Sequence, residues 1–104
     1  MNKINRETRY EMMYKAILSL KNEEECKNFF EDLCTMTELQ AMEQRFQVAW
    51  LLDKGFIYND ILEQTGASSA TISRVKRSLH YGSNGYEVVF ARLKESESGD
   101  SGKP

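Results

Sequence analysis

Small hydroxyl side chains followed by basic ones lie between residues 66 and 80, and in that order they suit binding to DNA. Short side chains at a helix start let the backbone approach the edges of the bases, and hydroxyls can hydrogen-bond to those edges. Basic side chains further along the helix can pair with phosphates. The candidates for contacts near the bases are Ser68, Ser69, Ala70, Thr71, Ser73 and Arg74, and those for phosphates are Lys76 and Arg77.

The distribution of charge supports this hypothesis, although the chain as a whole is slightly acidic. Its formal net charge is −2, so a surface that attracts DNA must be local. Residues 66–91 hold three basic side chains against one acidic one, whereas residues 35–65 hold two basic against five acidic. This uneven distribution gives the chain a charge dipole, and its positive end coincides with the candidate segment. Basic residues near a helix C-terminus also compensate the helix dipole, so Lys76 and Arg77 alone are weak support.

Other chemistry finds little support in the sequence. His80, the single histidine, has no Ser, Cys or Asp at a spacing typical of hydrolases, and no glycine-rich loop is present to hold phosphates. We therefore predict that the protein is not an enzyme. Cys26 and Cys34 lack the paired spacing of zinc ligands, so we expect buried thiols with no metal and no disulfide.

A helix-turn-helix at about residues 58–80 is predicted to position the candidate DNA contacts. Its turn contains Gly66, a residue type that permits positive φ, and its first helix turns Ile61 inward. Apolar residues at i, i+3 and i+7 give the second helix a buried stripe, so its hydroxyl and basic residues face outward. That stripe consists of Ile72, Val75 and Leu79.

The rest of the chain also has helical spacing of apolar residues, so the expected fold class is all-α. Pro104 is the only proline, and nothing before it breaks a helix. Asn22, with Glu25 three residues further on, predicts a cap for the second helix, and Thr37 a cap for the third. Gly82 is placed as a left-handed cap after the helix-turn-helix. The other expected helices cover residues 8–20, 37–52 and 86–94.

One domain is expected at residues 1–94, followed by a short tail. Residues 95–104 contain no apolar side chain and cannot offset their own ordering entropy, so we expect them to be disordered. No apolar run is long enough to span a membrane, and the charged start of the chain is unlike a signal peptide. These features favour a cytoplasmic protein without a membrane partner.

The third helix is apolar over more of its circumference than a single stripe requires. Ala41, Val48 and Leu51 widen its apolar surface, and a chain of 104 residues has difficulty burying such a helix on two sides. The sequence therefore predicts a homodimer. An aromatic ligand site is an alternative use of the large rings nearby, but their helical spacing favours core packing. These rings belong to Phe29, Phe30, Phe46 and Trp50.

The segment from Gly66 to Arg74 resembles the helix-turn-helix of the Trp repressor, which has Gly-Ala followed by Ala-Thr-Ile-Thr-Arg at the same spacing. Ser78-Leu79 continues the match. Residues 10–93 are similar in helix order to Trp repressor-like proteins of the YerC/YecD type, including Thr37-Glu38-Leu39 and Leu51-Leu52. The resemblance implies six helices and an intertwined homodimer. In that dimer the first three helices and the last one interlock, leaving two helix-turn-helix units at the ends.

The resemblance also implies where an effector would bind. The Trp repressor holds tryptophan between two arginines, and the matching positions here are Arg45 and Arg74, with Ser78 close to the same place. The residue after the second arginine is glycine in the Trp repressor and Val75 here, so we expect this side chain to fill the space. We therefore predict no cofactor and no tryptophan corepressor, and leave an unknown small effector open. Arg45 is then interpreted as a salt-bridge residue.

These observations predict a dimeric regulator of transcription, acting as a repressor, that binds double-stranded DNA at a palindromic site. The sequence leaves one alternative open, which is a non-catalytic helical adaptor that binds another protein of the transcription machinery. Salt distinguishes the two, because phosphate contacts are lost steeply as salt rises and an apolar interface is not.

Overall fold

Six helices make up most of the described backbone. The structure is a computed structural model that describes the backbone of residues 6–102 and the side chains of residues 8–97. That backbone contains no strand, so the expected all-α class is confirmed. The helices are α1 (Arg6–Leu18), α2 (Glu23–Leu33), α3 (Met36–Asp53), α4 (Tyr58–Thr65), α5 (Ser69–Tyr81) and α6 (Gly85–Gly102).

The start of α2 is the one that the sequence predicts. Asn22 Oδ1 accepts a hydrogen bond from the N–H of Glu25 at 2.9 Å. The carboxylate of Glu25 reaches back and accepts one from the N–H of Lys21 at 3.0 Å. These two bonds satisfy backbone donors that have no partner within the helix.

The start of α3 differs from the prediction, because its cap is Thr35 and not Thr37. Thr35 Oγ1 accepts a hydrogen bond from the N–H of Glu38 at 3.1 Å, and Glu38 Oε1 accepts one from the N–H of Thr35 at 2.8 Å. The carboxylate makes this second bond charge-assisted. If Thr37 were the cap, the residue three positions further on would be Gln40, whose uncharged amide cannot make such a bond. The helix therefore begins at Met36.

The chain divides into two compact units, one ending at Leu39 and the other beginning at Gln40. In the first unit α2 has no buried residue, and Met13, Tyr14 and Leu18 of α1 are exposed. In the second unit α3 to α6 share an apolar core. The core consists of Val48, Ala49, Leu51, Ile61, Ala67, Ile72, Val75 and Phe90.

The turn between α5 and α6 corrects a second detail of the prediction. Gly82 has φ −88° and is not left-handed, whereas Asn84 has φ 65°. Glycine is needed at position 82 for a different reason. A Cβ there would lie 2.3 Å from the carbonyl oxygen of Ser78, which accepts a hydrogen bond from the N–H of Gly82 at 3.0 Å.

The last helix is longer than the sequence predicts. We expected it to end near Lys94 with a disordered tail after it, but α6 continues to Gly102. Each residue added to an existing helix gains a hydrogen bond, and Glu95 and Glu97 are good helix formers, so apolar burial is not needed for the extension. Residues 103 and 104 of the expected tail lie outside the described residues.

Candidate nucleic-acid interface

The turn between α4 and α5 depends on the left-handed conformation of Gly66. This residue has φ 68° and ψ 11°, and its N–H donates to the carbonyl of Leu62 at 2.9 Å. A side chain at this position would be strained by the backbone angle alone. The N–H of the buried Ala67 then donates to Thr65 Oγ1 at 3.1 Å, which closes the turn. The predicted role of Gly66 is confirmed.

A side chain from α3 fixes the same turn. The amide of Gln44 donates through Nε2 to the carbonyl of Thr65 at 3.1 Å, a group that a helix end leaves without an internal partner. The hydroxyl of Thr65 donates to the carbonyl of Ile61 at 2.7 Å. The sequence prediction did not include Gln44, because a polar residue on an amphipathic helix carries no signal of which distant carbonyl it will meet.

The inner faces of α4 and α5 are buried as predicted. Ile61 is completely buried, Ile72 and Val75 nearly so, and Leu79 is half-buried against them. Val48 and Ala49 of α3 complete this packing. Because an interior packed in this way resists rotation of a helix, the outward direction of the remaining α5 side chains is fixed.

Two of the hydroxyls that we predicted to lie near bases hydrogen-bond to each other. Ser68 is the N-cap of α5, and its Oγ accepts from the N–H of Thr71 at 3.1 Å. The same hydroxyl donates to Thr71 Oγ1 at 3.0 Å. Thr71 is half-buried. Both residues therefore build the first turn of α5, a structural role that the sequence analysis did not give them.

The other six candidates on α5 are exposed. Spacing of i, i+3, i+4 and i+7 places four of them on one face, opposite the buried stripe. These four are Ala70, Ser73, Arg74 and Arg77. Lys76 lies on a flank, where His80 Nδ1 donates to the carbonyl of Lys76 at 2.8 Å. The exposed face of α5 thus carries short side chains near the helix start, where Ser69 follows the cap, and basic side chains further along.

The three possible effector residues do not all line the groove that Ser78 borders. Ser78 borders an open groove of about 530 Å³ together with Phe46, Tyr86 and Val89, and neither Arg45 nor Arg74 lines this groove. Arg45 and Arg74 are both exposed.

Val75, which stands where the Trp repressor has glycine, is 2% exposed and belongs to the core. Its isopropyl group therefore occupies space that a glycine would leave empty.

The structure also bears on the two cysteines, on metal binding and on membrane-spanning helices. Cys26 and Cys34 are half-buried thiols that form no disulfide with each other, so they are less buried than expected. Among the described residues no cluster of three or more His, Cys, Asp or Glu side chains is arranged to hold a metal ion. None of the helices in the described part of the chain is long and apolar enough to cross a membrane.

Comparison with known proteins places residues 8–94 in one family, whose model is described as Trp repressor protein. The uncharacterized protein YerC of Bacillus subtilis (strain 168) is 50% identical over 93 residues, which is 89% of each chain.

Two solved structures have the same fold. A candidate Trp repressor from Staphylococcus aureus has a TM-score of 0.80 and 46% identity, over 83% of this chain and 86% of that one. A TrpR-like protein from Eubacterium eligens ATCC 27750 also has a TM-score of 0.80, with 51% identity over 86% of this chain and 91% of that one. The six-helix order, the helix-turn-helix and these similarities agree, and the chain belongs to the Trp repressor family.

Proposed function

We propose that the protein is a homodimeric, sequence-specific DNA-binding regulator, acting as a repressor, with α5 as its recognition helix. The family is one of DNA-binding regulators and not of enzymes, which supports the general function. The observation that carries the proposal is the division of α5 into two faces. Ile72 and Val75 pack one face into the core, while the opposite face is exposed and carries small and basic side chains.

The proposed contacts follow from the position of each side chain on α5. Ser69, Ala70, Ser73 and Arg74 lie near the helix start, which is the part that reaches base edges in helix-turn-helix proteins. Lys76 and Arg77 follow, and we assign them to phosphates.

Ser68 and Thr71 remain in the proposed set of contacts despite their mutual hydrogen bond. Ser68 uses the proton of its hydroxyl and accepts one backbone N–H. The hydroxyl proton of Thr71 is still available for a base or a phosphate.

A second copy of the chain is the proposed cover for several apolar side chains. Phe46 of α3 is 40% exposed, and Val89 and Leu93 of α6 are 44% and 41% exposed. Large apolar side chains close together on a surface usually mark an interface. Two copies related by a twofold axis would place their recognition helices about 34 Å apart, in successive major grooves.

Tryptophan is not part of the proposed mechanism. The position that leaves room for it in the Trp repressor holds Val75 here, and that side chain is buried in the core. We propose that Arg74 contacts DNA and that Arg45 makes a salt bridge at the surface or interface. Arg45, Arg74 and Ser78 would be the first residues to test for binding of a small effector of another shape.

The experiment that tests the proposal is selection of bound fragments from the sheared DNA of the source organism at near-physiological salt. The control is a double variant, Arg74→Ala with Lys76→Ala, which keeps the buried face of α5. We expect the wild-type protein to enrich a shared palindromic sequence and the control to lose it. Measured affinity for that sequence should fall steeply as salt rises.

Two results would contradict the proposal. If neither protein enriches any sequence, or if both enrich the same one, α5 does not read DNA. Affinity for a protein of the transcription machinery that does not change with salt would then favour the helical adaptor.

A further inference from the structure

The last residue of α5 is a tyrosine whose side chain is almost entirely exposed to solvent. Tyr81 is 86% exposed. It lies four residues after Arg77 and seven after Arg74, so helical spacing places it on the same outward face. This face therefore continues past the basic residues to an aromatic ring that carries a hydroxyl.

The ring of His80 lies beside that of Tyr81. The centroids of the His80 and Tyr81 rings are 6.2 Å apart, and the ring planes are tilted by 44°. His80 is itself held, because its Nδ1 donates to the carbonyl of Lys76 at 2.8 Å. An aromatic pair at this separation is weakly attractive. The phenol therefore has one weakly attractive neighbour and is otherwise open to a partner.

The length of α5 indicates what Tyr81 would meet on DNA. Ser69 and Tyr81 are separated by about 18 Å along the helix axis, at 1.5 Å per residue. The major groove is only about 12 Å wide. If α5 enters the groove end-on, with its first turn at base edges, its last turn lies outside the groove, beside the sugar-phosphate backbone at the groove edge.

We propose that Tyr81 is a further DNA-binding residue, which donates its phenolic hydrogen bond to a backbone phosphate at the edge of the groove. This inference rests on the proposed role of α5 as recognition helix. A phenol is a neutral donor, so it adds affinity without displacing a counterion from the DNA. Its contribution is the same on every DNA sequence, because phosphates carry no base identity.

The test compares Tyr81→Phe, which removes one hydroxyl and keeps the ring, with Arg77→Ala. Affinity is measured for the selected palindrome and for an unrelated duplex over a range of salt concentrations. We expect Tyr81→Phe to weaken binding to both duplexes by about tenfold, as for loss of a hydrogen bond to a charged group. The slope of log affinity against log salt should not change. Arg77→Ala should reduce that slope by about one.

The matched control is Tyr14→Phe, the same chemical change in an exposed tyrosine of α1 that also lies beside another ring. It should bind DNA as the wild type does. Melting curves of each variant confirm that it is folded, and Tyr81→Ala provides a second test at the same position.

The proposal is overturned if wild-type protein binds DNA while Tyr81→Phe and Tyr81→Ala bind equally well. It is also overturned if Tyr81→Phe changes the salt slope or alters only one of the two duplexes. If the wild-type protein itself shows no salt-dependent binding to DNA, the proposed function fails, and this inference fails with it.

Discussion

At the scale of single residues, the hydroxyl of Ser68 holds the first turn of α5. It accepts the N–H of Thr71 and donates to Thr71 Oγ1. The neighbouring Ser69 is exposed, and no hydrogen bond joins its side chain to another described residue. Two serines next to each other in the chain therefore differ in structural role, because only Ser68 holds the helix start.

This difference predicts unequal effects of two alanine substitutions on stability. Ser68→Ala removes the cap of α5 and should lower the free energy of unfolding by about 1 kcal/mol. Ser69→Ala changes an exposed side chain at the first helical position and should stay within about 0.5 kcal/mol of wild type. Urea denaturation measures both values. Equal losses for the two variants would mean that the cap hydrogen bond does not support the helix.

At the scale of elements, the turn of the helix-turn-helix depends on one backbone angle. Gly66 and Gly85 both have open space where a Cβ would be, but only Gly66 has positive φ. Gly66→Ala should therefore destabilise the protein by about 1 to 2 kcal/mol, through strain in the left-handed conformation. Gly85→Ala, at the start of α6, should stabilise it by about 0.5 to 1 kcal/mol, because alanine has fewer unfolded conformations to lose.

Thermal unfolding of the two alanine variants supplies the comparison. Since no atom crowds either site, a difference between them reports the backbone angle and not a collision. A third variant, Gly66→Asn, should recover part of the loss, because asparagine tolerates the left-handed region better than alanine. Similar stability of Gly66→Ala and Gly85→Ala would contradict the assigned role of the turn.

The cap of α3 makes one acidic group sensitive to folding. The N–H of Thr35, and to a smaller extent its hydroxyl, hold the pKa of Glu38 below its ordinary value. Folding therefore favours the carboxylate form. Its stabilising effect is complete above the pKa of the unfolded chain and is lost as the pH falls through the lower, folded-state pKa. Stability should decline in that acid range, and Glu38→Gln should remove this part of the decline.

A carbon-detected NMR titration of the Glu38 carboxyl group measures the pKa directly. In Thr35→Ala the hydroxyl is absent and the cap is weakened, so the pKa should move upward toward the ordinary glutamate value. An identical pKa in wild type and Thr35→Ala would show that the cap does not act on this carboxyl.

The elements that the sequence predicts well are those determined by neighbouring residues. The cap at Asn22, the turn at Gly66 and the buried stripe of α5 follow from spacing within a few residues. The cap of α3 was predicted at Thr37 but lies at Thr35, two positions earlier. The position is decided by which of the two threonines has a glutamate three residues further on. The role of Gln44 could not be predicted, because its partner lies 21 residues away.

The end of α6 and the role of Gly82 were missed for physical reasons of their own. Helix propagation without burial leaves no apolar pattern in residues 95–102. The need for glycine at position 82 comes from a carbonyl four residues earlier, and not from the positive φ that is usually sought in a glycine. Of the candidate site, the outward direction of α5 was predictable, whereas the bond between Ser68 and Thr71 was not.

At the scale of the whole molecule, the apolar surface of a single chain predicts its association. We expect a mass twice the 12.1 kDa of one chain at micromolar concentration. Val89→Glu places a charge among exposed apolar side chains of α3 and α6 and should weaken the dimer by about tenfold or more, since it loses the burial of a valine. Analytical ultracentrifugation over a range of concentrations measures this change.

Ala91→Glu is the control, because it adds the same charge to another exposed position on α6. It should leave the dimer intact. A wild-type protein that sediments as a single chain would contradict the proposed homodimer, as would two glutamate variants that dissociate equally.

The one tryptophan of the chain, Trp50, packs against the core that α5 shares. Trp50 packs edge-on against Phe90, with ring centroids 5.1 Å apart, and Lys54 Nζ lies 4.6 Å from the centre of the Trp50 ring. Phe90 belongs to the same buried cluster as Ile72 and Val75 of α5. The wavelength of fluorescence emission of an indole depends on its exposure to water. The ultraviolet fluorescence of the unlabelled protein therefore reports on this packing. The molecule thus contains its own optical probe, with which unfolding and rearrangement around α6 can be followed in real time.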